Sequence, residues 1–138
     1  MSASGSETGR PPVVLVVDDE PQIRAFLSLM LGDAGFTVCT AEDGVAALAR
    51  LRTLRPAAIV TDLMMPRMDG WELCRRLRAS AETAAIPLVV ISALRSVETP
   101  GDAYFPKPFE LDALVATLRR LTSADRAQPR TQICATVP

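Results

Sequence analysis

Histidine is absent from this sequence, and cysteine is scarce. The three cysteines, Cys39, Cys74 and Cys134, contain no CxxC pair, and their number is odd. The usual zinc sites need histidine or paired cysteine ligands, and disulfide frameworks need paired cysteines, so neither is expected here. Scattered thiols of this kind are typical of a protein in the reducing cytoplasm.

The sequence also lacks a large excess of either charge and any long apolar run. Its 15 basic residues nearly balance 16 acidic ones, leaving a net charge of −1. This balance excludes the basic surface that non-specific DNA binding requires. Apolar runs such as residues 13–17 are far shorter than the roughly 20 residues that cross a bilayer, and the start of the chain has no signal-peptide core. We expect a soluble protein with no DNA-binding domain and no membrane partner.

The chain is long enough for one folded domain. Its 138 residues are 49% hydrophobic, which is sufficient for a single core. Residues 1–11 and 123–138 are rich in small, polar or proline residues without periodicity, as is typical of disordered tails. The folded part is therefore predicted to span residues 12–122.

Between these tails, short β-branched runs alternate with longer segments of helical period. The alternation predicts βαβ units around a parallel sheet of five strands. Pro21 suits the first turn of a helix, and Gly32 and Gly35 suit the end of that helix. The predicted strands are residues 13–17, 37–40, 57–61, 88–91 and 103–105, and the predicted helices are residues 21–33, 44–55, 71–79 and 111–121.

Polar side chains follow the carboxyl ends of four predicted strands. They are Asp18 and Asp19 after the first strand, Asp62 after the third, Ser92 after the fourth and Lys107 just past the fifth. Because parallel strands with right-handed connections end at one edge of the sheet, these side chains are expected to share a crevice. Clustered carboxylates suit Mg²⁺. One carboxylate could then attack a phosphoryl group and form an acyl phosphate, while a lysine and a hydroxyl bind its other oxygens.

With these residues placed, the sequence resembles the receiver domains of two-component response regulators. The matching segments are VVDDEP at 16–21, TDLMMPRMDG at 61–70, ISA at 91–93 and YFPKPF at 104–109. They have the family's order and most of its spacing, and they cover nearly the whole folded region. The resemblance implies a three-layer, doubly wound α/β fold with five parallel strands in the flavodoxin-like order 2-1-3-4-5.

The resemblance also implies a phosphoacceptor and a metal site. Asp62 would accept the phosphoryl group. Mg²⁺ would be held by the carboxylates of Asp18, Asp19 and Asp62 and by the backbone carbonyl of Met64. Taken alone, the pair Asp18-Asp19 could equally cap the helix that follows it, so the metal interpretation depends on the pair meeting Asp62.

Four more residues match positions that respond to the phosphoryl group in the family. Ser92 would bind it, Lys107 would pair with its charge, Tyr104 would be the switch aromatic, and Pro108 would follow a cis peptide bond. Alone, Lys107 could be an ordinary surface lysine, Ser92 a turn residue and Tyr104 part of the core.

The chain departs from the family between Ser92 and Tyr104, where it is shorter by roughly two helical turns. Residues 93–103 include Pro100-Gly101, which would stop a helix, and show no run of apolar residues at helical spacing. The helix that the family has between its fourth and fifth strands is predicted to be stunted or absent. In the family that helix contributes to dimerisation or docking, so no oligomeric state is predicted.

These features predict a stand-alone receiver that takes phosphoryl from a histidine kinase or a histidine phosphotransfer protein and signals to a downstream protein by conformational change and contact. It would catalyse only its own phosphorylation and dephosphorylation, the latter slowly, because Met64 and Leu94 cannot orient an attacking water. Three alternatives remain: a receiver excised from a longer protein, a phosphorylation-independent adaptor, and a Mg²⁺-dependent phosphohydrolase with an aspartyl nucleophile.

Overall fold

A sheet of parallel strands forms the centre of the structure, a computed structural model that describes residues 11–94 and 101–125. The strands have the order β2-β1-β3-β4-β5, which confirms the predicted fold. Within the described residues, no helix has both the length and the apolar character to cross a membrane. The strands are β1 (Val13–Val17), β2 (Thr37–Ala41), β3 (Ala58–Asp62), β4 (Leu88–Ser92) and β5 (Ala103–Pro106), and the helices are α1 (Pro21–Asp33), α2 (Gly44–Arg50), α3 (Gly70–Ala79) and α4 (Leu111–Asp125).

Helices cover both faces of the sheet, which makes the three-layer architecture. Leu15 in β1 points to the face covered by α2 and α3, where it packs in one core with Leu73. Its neighbour Val16 points to the other face, where it packs with Leu27 of α1 and Leu114 of α4. Strands covered on both faces are expected to be apolar throughout, and β1, β3 and β4 are buried along their whole length.

The helix ends follow local sequence signals. Pro21 occupies the first turn of α1, where a missing N–H costs nothing. The helix ends in a Schellman motif at Gly35, whose φ of +106° favours glycine, with the Phe36 amide donating to the Leu31 carbonyl at 3.0 Å. Asp43 caps α2, and Asp69 caps α3.

Two predicted boundaries were wrong. Helix α2 ends at Arg50 rather than at residue 55, because the Arg52 and Thr53 amides make tighter three-residue bonds to the Ala49 and Arg50 carbonyls. Helix α4 continues to Asp125, four residues past its predicted end at residue 121. Thr122 is buried there, and its hydroxyl donates to the Leu118 carbonyl at 2.8 Å, so the helix keeps its contacts with the core.

The connection from β4 to β5 is short, as predicted. Ten residues separate Ser92 from Ala103, fewer than the dozen or so that a helical crossover usually needs. Its described ends, residues 93–94 and 101–102, hold no helix, and residues 95–100 lie outside the described part of the chain. Asp102 fastens one end to β4, because its amide donates to the Leu88 carbonyl at 2.7 Å and its carboxylate accepts from the Leu88 amide at 2.8 Å.

Candidate functional site

Three carboxylates meet at the carboxyl edge of the sheet. Asp18 and Asp19 follow β1, and Asp62 ends β3, the strand beside it. One carboxylate oxygen from each lies within 4.8 Å of the other two. Asp18 and Asp62 are buried, whereas Asp19 is exposed. The cluster therefore has an inner pair of acids and an outer acid that faces solvent.

Lys107 brings the only ammonium group of a side chain to this cluster, since the sequence has no other lysine. Its Nζ donates to Asp62 Oδ2 at 3.0 Å and to Asp18 Oδ2 at 3.4 Å. Burial lowers the pKa of Lys107, but the bond to Asp62 and the charge of Asp18 outweigh burial and raise the pKa above its ordinary value. The ammonium thus stays charged at neutral pH and offsets one of the carboxylates.

Backbone geometry fixes the direction of Lys107. The Lys107 amide donates to the Ser92 carbonyl at 2.7 Å, which continues the pairing of β5 with β4 beyond the end of the strand. The Lys107–Pro108 peptide bond is cis. The side chain of Lys107 reaches across β4 to the acids at the ends of β1 and β3.

The carboxylate of Asp62 is held by its own loop. Its Oδ1 accepts hydrogen bonds from the Leu63 amide at 2.6 Å and the Met64 amide at 3.2 Å, while Oδ2 accepts from Lys107. The Gly70 amide donates to the Leu63 carbonyl at 2.9 Å and ties the start of α3 to the same loop. Donors on both oxygens orient the carboxylate before any ligand arrives.

Asp18 is the most constrained of the three acids. Its Oδ1 accepts from the Glu20 amide at 2.9 Å, and its backbone carbonyl accepts from Arg24 Nη1 at 2.8 Å. Burial raises the pKa of Asp18 above its ordinary value, and the Glu20 amide and the Lys107 charge offset this only in part. A further cation nearby would therefore stabilise the charged form of this buried carboxylate.

Ser92 and Tyr104 make no described hydrogen bond to the three acids. Ser92 is fully buried one residue past Ile91, the partner of Asp62 across the sheet, and its hydroxyl accepts from the Leu94 amide at 3.1 Å. Tyr104 packs its ring against the core on the α2 and α3 face. Its hydroxyl is buried and has no hydrogen-bond partner among the described residues, and an unpaired buried hydroxyl is costly unless another state supplies a partner.

An open hollow of about 450 Å³ adjoins Asp19. Its wall is mainly apolar, and Trp71, the only tryptophan of the sequence, forms part of it. A reacting group could approach the cluster through this hollow. It is lined by Asp19, Leu63, Met64, Met65, Pro66, Asp69 and Trp71.

Some contributors to the site were not identified from the sequence. Arg24 supports the acidic loop by a hydrogen bond to a backbone carbonyl six residues earlier. No sequence motif predicts this contact. Gly70 packs directly on the backbone of Asp62, although the sequence only marks it as a helix start. Arg67 pairs with Asp43, 24 residues away, so sequence spacing gives no signal for that contact.

Comparison with known proteins identifies the arrangement. The profile of the response regulator receiver domain matches residues 14–119. The response regulator MprA of Mycobacterium ulcerans is 43% identical over 115 residues, which cover 78% of this chain and 49% of that protein. This chain therefore spans about half the length of the curated relatives that it matches.

Solved structures agree with the sequence match. The signal receiver domain of a signal transduction histidine kinase from Syntrophus aciditrophicus superposes with a TM-score of 0.81 at 26% identity, covering 88% of this chain and 97% of that one. The response regulator protein TrrA of Thermotoga maritima, solved in complex with Mg²⁺-BeF, has a TM-score of 0.73 at 30% identity, covering 80% of this chain and 98% of its own. The chain belongs to the response regulator receiver domain family.

Proposed function

We propose that Asp62 is a phosphoacceptor that takes a phosphoryl group from the phosphohistidine of a histidine kinase or a histidine phosphotransfer protein. One observation carries the proposal: Asp62 is buried with donors on both carboxylate oxygens and lies within 4.8 Å of two more acids. In the transfer, a carboxylate oxygen of Asp62 forms a bond to phosphorus as the phosphorus–nitrogen bond breaks. The departing imidazole nitrogen keeps the electron pair, and the product is an acyl phosphate.

The donor set fits Mg²⁺, a hard cation that prefers oxygen ligands. The carboxylates of Asp18, Asp19 and Asp62 would hold the ion, with the Met64 carbonyl as the further protein ligand. When bound, the ion would neutralise negative charge on the transferring group. Three acids and one lysine leave excess negative charge at the site, which favours a cation. The Mg²⁺-BeF complex of TrrA supports this assignment.

The remaining residues would convert the acyl phosphate into a signal. Phosphorylation adds about −1.5 to −2 charges at neutral pH. Lys107 is within reach of Asp62 Oδ2 and would pair with this charge, and the hydroxyl of Ser92 would bind a phosphoryl oxygen. Tyr104 is the proposed switch, because its buried hydroxyl has no partner within the described part of the chain and would be stabilised by any rearrangement that provides one. The signal would pass by contact to a downstream protein in the cytoplasm, without turnover of another substrate.

Chemical trapping tests the phosphoacceptor directly. The protein is incubated with acetyl phosphate and Mg²⁺ and then treated with hydroxylamine, which converts an acyl phosphate to a hydroxamate. We expect one hydroxamate, mapped by peptide mass spectrometry to Asp62. A hydroxamate at Asp18 or Asp19 instead, or a phosphoryl group that resists hydroxylamine, would contradict the assignment.

The acyl phosphate is expected to be long-lived. Met64 is 55% exposed and lines the hollow beside Asp19, and Leu94 follows Ser92 by two residues. Neither side chain can orient a water for attack on phosphorus by a strong hydrogen bond. Replacing Met64 with asparagine should therefore shorten the half-life several-fold, measured by loss of phosphoryl mass after the donor is removed. Met64→Leu is the matched control and should keep the wild-type half-life; equal lifetimes for both variants would refute the explanation.

A further inference from the structure

Arg67 has a backbone conformation that its residue type rarely adopts. It lies in the loop of residues 63–69 between β3 and α3, and its φ is +67°. Among the described residues, it is the one non-glycine residue with positive φ. Side chains with a Cβ avoid this region unless the surroundings hold them there. An anchor must therefore compensate for the conformation of Arg67.

The anchor is Asp43, in the loop before α2. Arg67 Nε donates to Asp43 Oδ2 at 2.7 Å, and Nη2 donates to the same oxygen. The side chain of Asp43 is only 3% exposed, and its Oδ1 accepts the Ala46 amide at 2.8 Å as the cap of α2. The Ala46 amide and Arg67 hold the pKa of Asp43 below its ordinary value, so the acid is charged at neutral pH.

The contact extends beyond the ion pair. A Cβ added to Gly44 would lie 2.8 Å from Met68 Sδ, so the Met68 side chain lies directly on the start of α2. Asp43 and Gly44 thus contact Arg67 and Met68. The first two residues lie at the start of α2, whereas the other two belong to the loop that follows Asp62.

The same loop carries the donors that orient Asp62. Its first residues donate their amides to Asp62 Oδ1, and Met64 does so at 3.2 Å, the longer of the two bonds. The other end of the loop is fixed where the Gly70 amide meets the Leu63 carbonyl. Arg67 lies between these attachments. Without Asp43, no ion pair would hold the middle of the loop, and the hydrogen bond from the Met64 amide to Asp62 would be the first to lengthen.

We propose that Arg67 is a positioning residue: its ion pair with Asp43 holds the 63–69 loop in the conformation that keeps the Met64 amide on Asp62. This inference rests on the proposed function for its effect on phosphoryl transfer, but the anchoring itself does not. Arg67 has no described contact with the acidic cluster, so it acts through the loop alone.

Three substitutions separate the ion pair from backbone strain. Arg67→Gly removes the guanidinium but tolerates positive φ, so relief of backbone strain should offset part of the thermal stability that is lost with the ion pair. Arg67→Lys keeps the charge and should restore function in part. Asp43→Asn keeps an oxygen to accept the Ala46 amide but removes the negative charge that faces Arg67.

The Met64 amide is the direct readout, measured by hydrogen exchange with NMR detection. In Arg67→Gly its exchange should accelerate by roughly tenfold, as expected for local opening without global unfolding. Phosphorylation by acetyl phosphate at saturating Mg²⁺ should slow by roughly tenfold, because small misplacement of reacting groups costs this much or more. The double variant of Arg67→Gly with Asp43→Asn should be no slower than the slower single variant, because both remove one interaction.

Wild-type exchange of the Met64 amide in Arg67→Gly would overturn the proposal. A wild-type phosphorylation rate in that variant would do the same. If the unsubstituted protein took up no phosphoryl group, the proposed function would fail, and the exchange of Met64 would still decide whether Arg67 anchors the loop.

Discussion

Replacing Gly70 with alanine should both destabilise the protein and prevent its phosphorylation. A Cβ at this position would lie 2.2 Å from the Asp62 carbonyl oxygen and 2.7 Å from Leu63 Cα. Both are backbone atoms, so no side chain can rotate to make room. The loop that orients Asp62 would have to move away from α3, and the hydrogen bond from the Gly70 amide to the Leu63 carbonyl would lengthen or break.

The cost should reach the upper end of the range for overpacking, about 3 kcal/mol in the free energy of unfolding. Urea denaturation measures it, and phosphorylation by acetyl phosphate should fall below detection. Gly32→Ala is a matched control, because a Cβ at Gly32 in α1 meets nothing within 4 Å. Alanine within a helix should stabilise the protein there by about 0.5–1 kcal/mol. Equal stability of the two variants would show that the close approach at Gly70 is not restrictive.

Replacing Lys107 with methionine should destabilise the protein in the presence of a chelator. The substitution leaves the inner acids, Asp18 and Asp62, without the cation that lies 3.4 and 3.0 Å from them. Removing one partner of a fully buried ion pair costs about 3–5 kcal/mol. Because Lys107 is 20% exposed and water can partly solvate the acids, a loss of about 2–3 kcal/mol is expected here.

Magnesium should recover much of this loss. A ligand that binds only the folded state stabilises it by mass action, and the variant site carries one more unit of uncompensated negative charge than the wild-type site. The gain in melting temperature on adding Mg²⁺ should therefore be larger for Lys107→Met than for the wild type. Arg24→Met is the control: Arg24 donates to the Asp18 backbone carbonyl rather than to a carboxylate, so its loss should not be recovered by Mg²⁺.

The destabilisation should also depend on pH. In the folded wild-type protein the pKa of Asp18 already lies above its ordinary value of 3.8, and removal of Lys107 should raise it further. The folded state then holds a proton that the unfolded state has released, so stability falls as pH rises from 3.8 through the folded pKa. The variant should approach the wild type in stability below that window. A difference that stays constant across the window would contradict this electrostatic explanation.

The sheet could be predicted closely because its short, β-branched runs alternate with longer segments of helical period. Each observed strand begins and ends within one residue of its predicted bounds. Helix α2 was predicted too long because Leu51 and Leu54 are buried and continue the helical spacing after the helix has ended. Apolar spacing reports which residues face the core, and a tight turn can satisfy it as well as a helix can.

The acidic cluster was predictable for a topological reason. Asp18, Asp62 and Lys107 each lie at or just past the end of a strand, and parallel pairing alone brings those ends together. The contact between Asp43 and Arg67 joins two loops whose paths depend on side-chain packing, so no strand register predicts it. The switch role of Tyr104 remains a prediction, because it concerns a second state of the protein.

The central claim is that Asp62 forms an acyl phosphate in a reaction that needs a divalent cation. Intact-mass spectrometry after incubation with acetyl phosphate and Mg²⁺ tests it most directly, beside Asp62→Asn and a sample with excess chelator. Asparagine keeps the shape of the side chain but lacks the carboxylate nucleophile. We expect one phosphoryl group on the wild-type protein and none in either control. No adduct on a folded wild-type protein, or an adduct of equal extent on Asp62→Asn, would contradict the account.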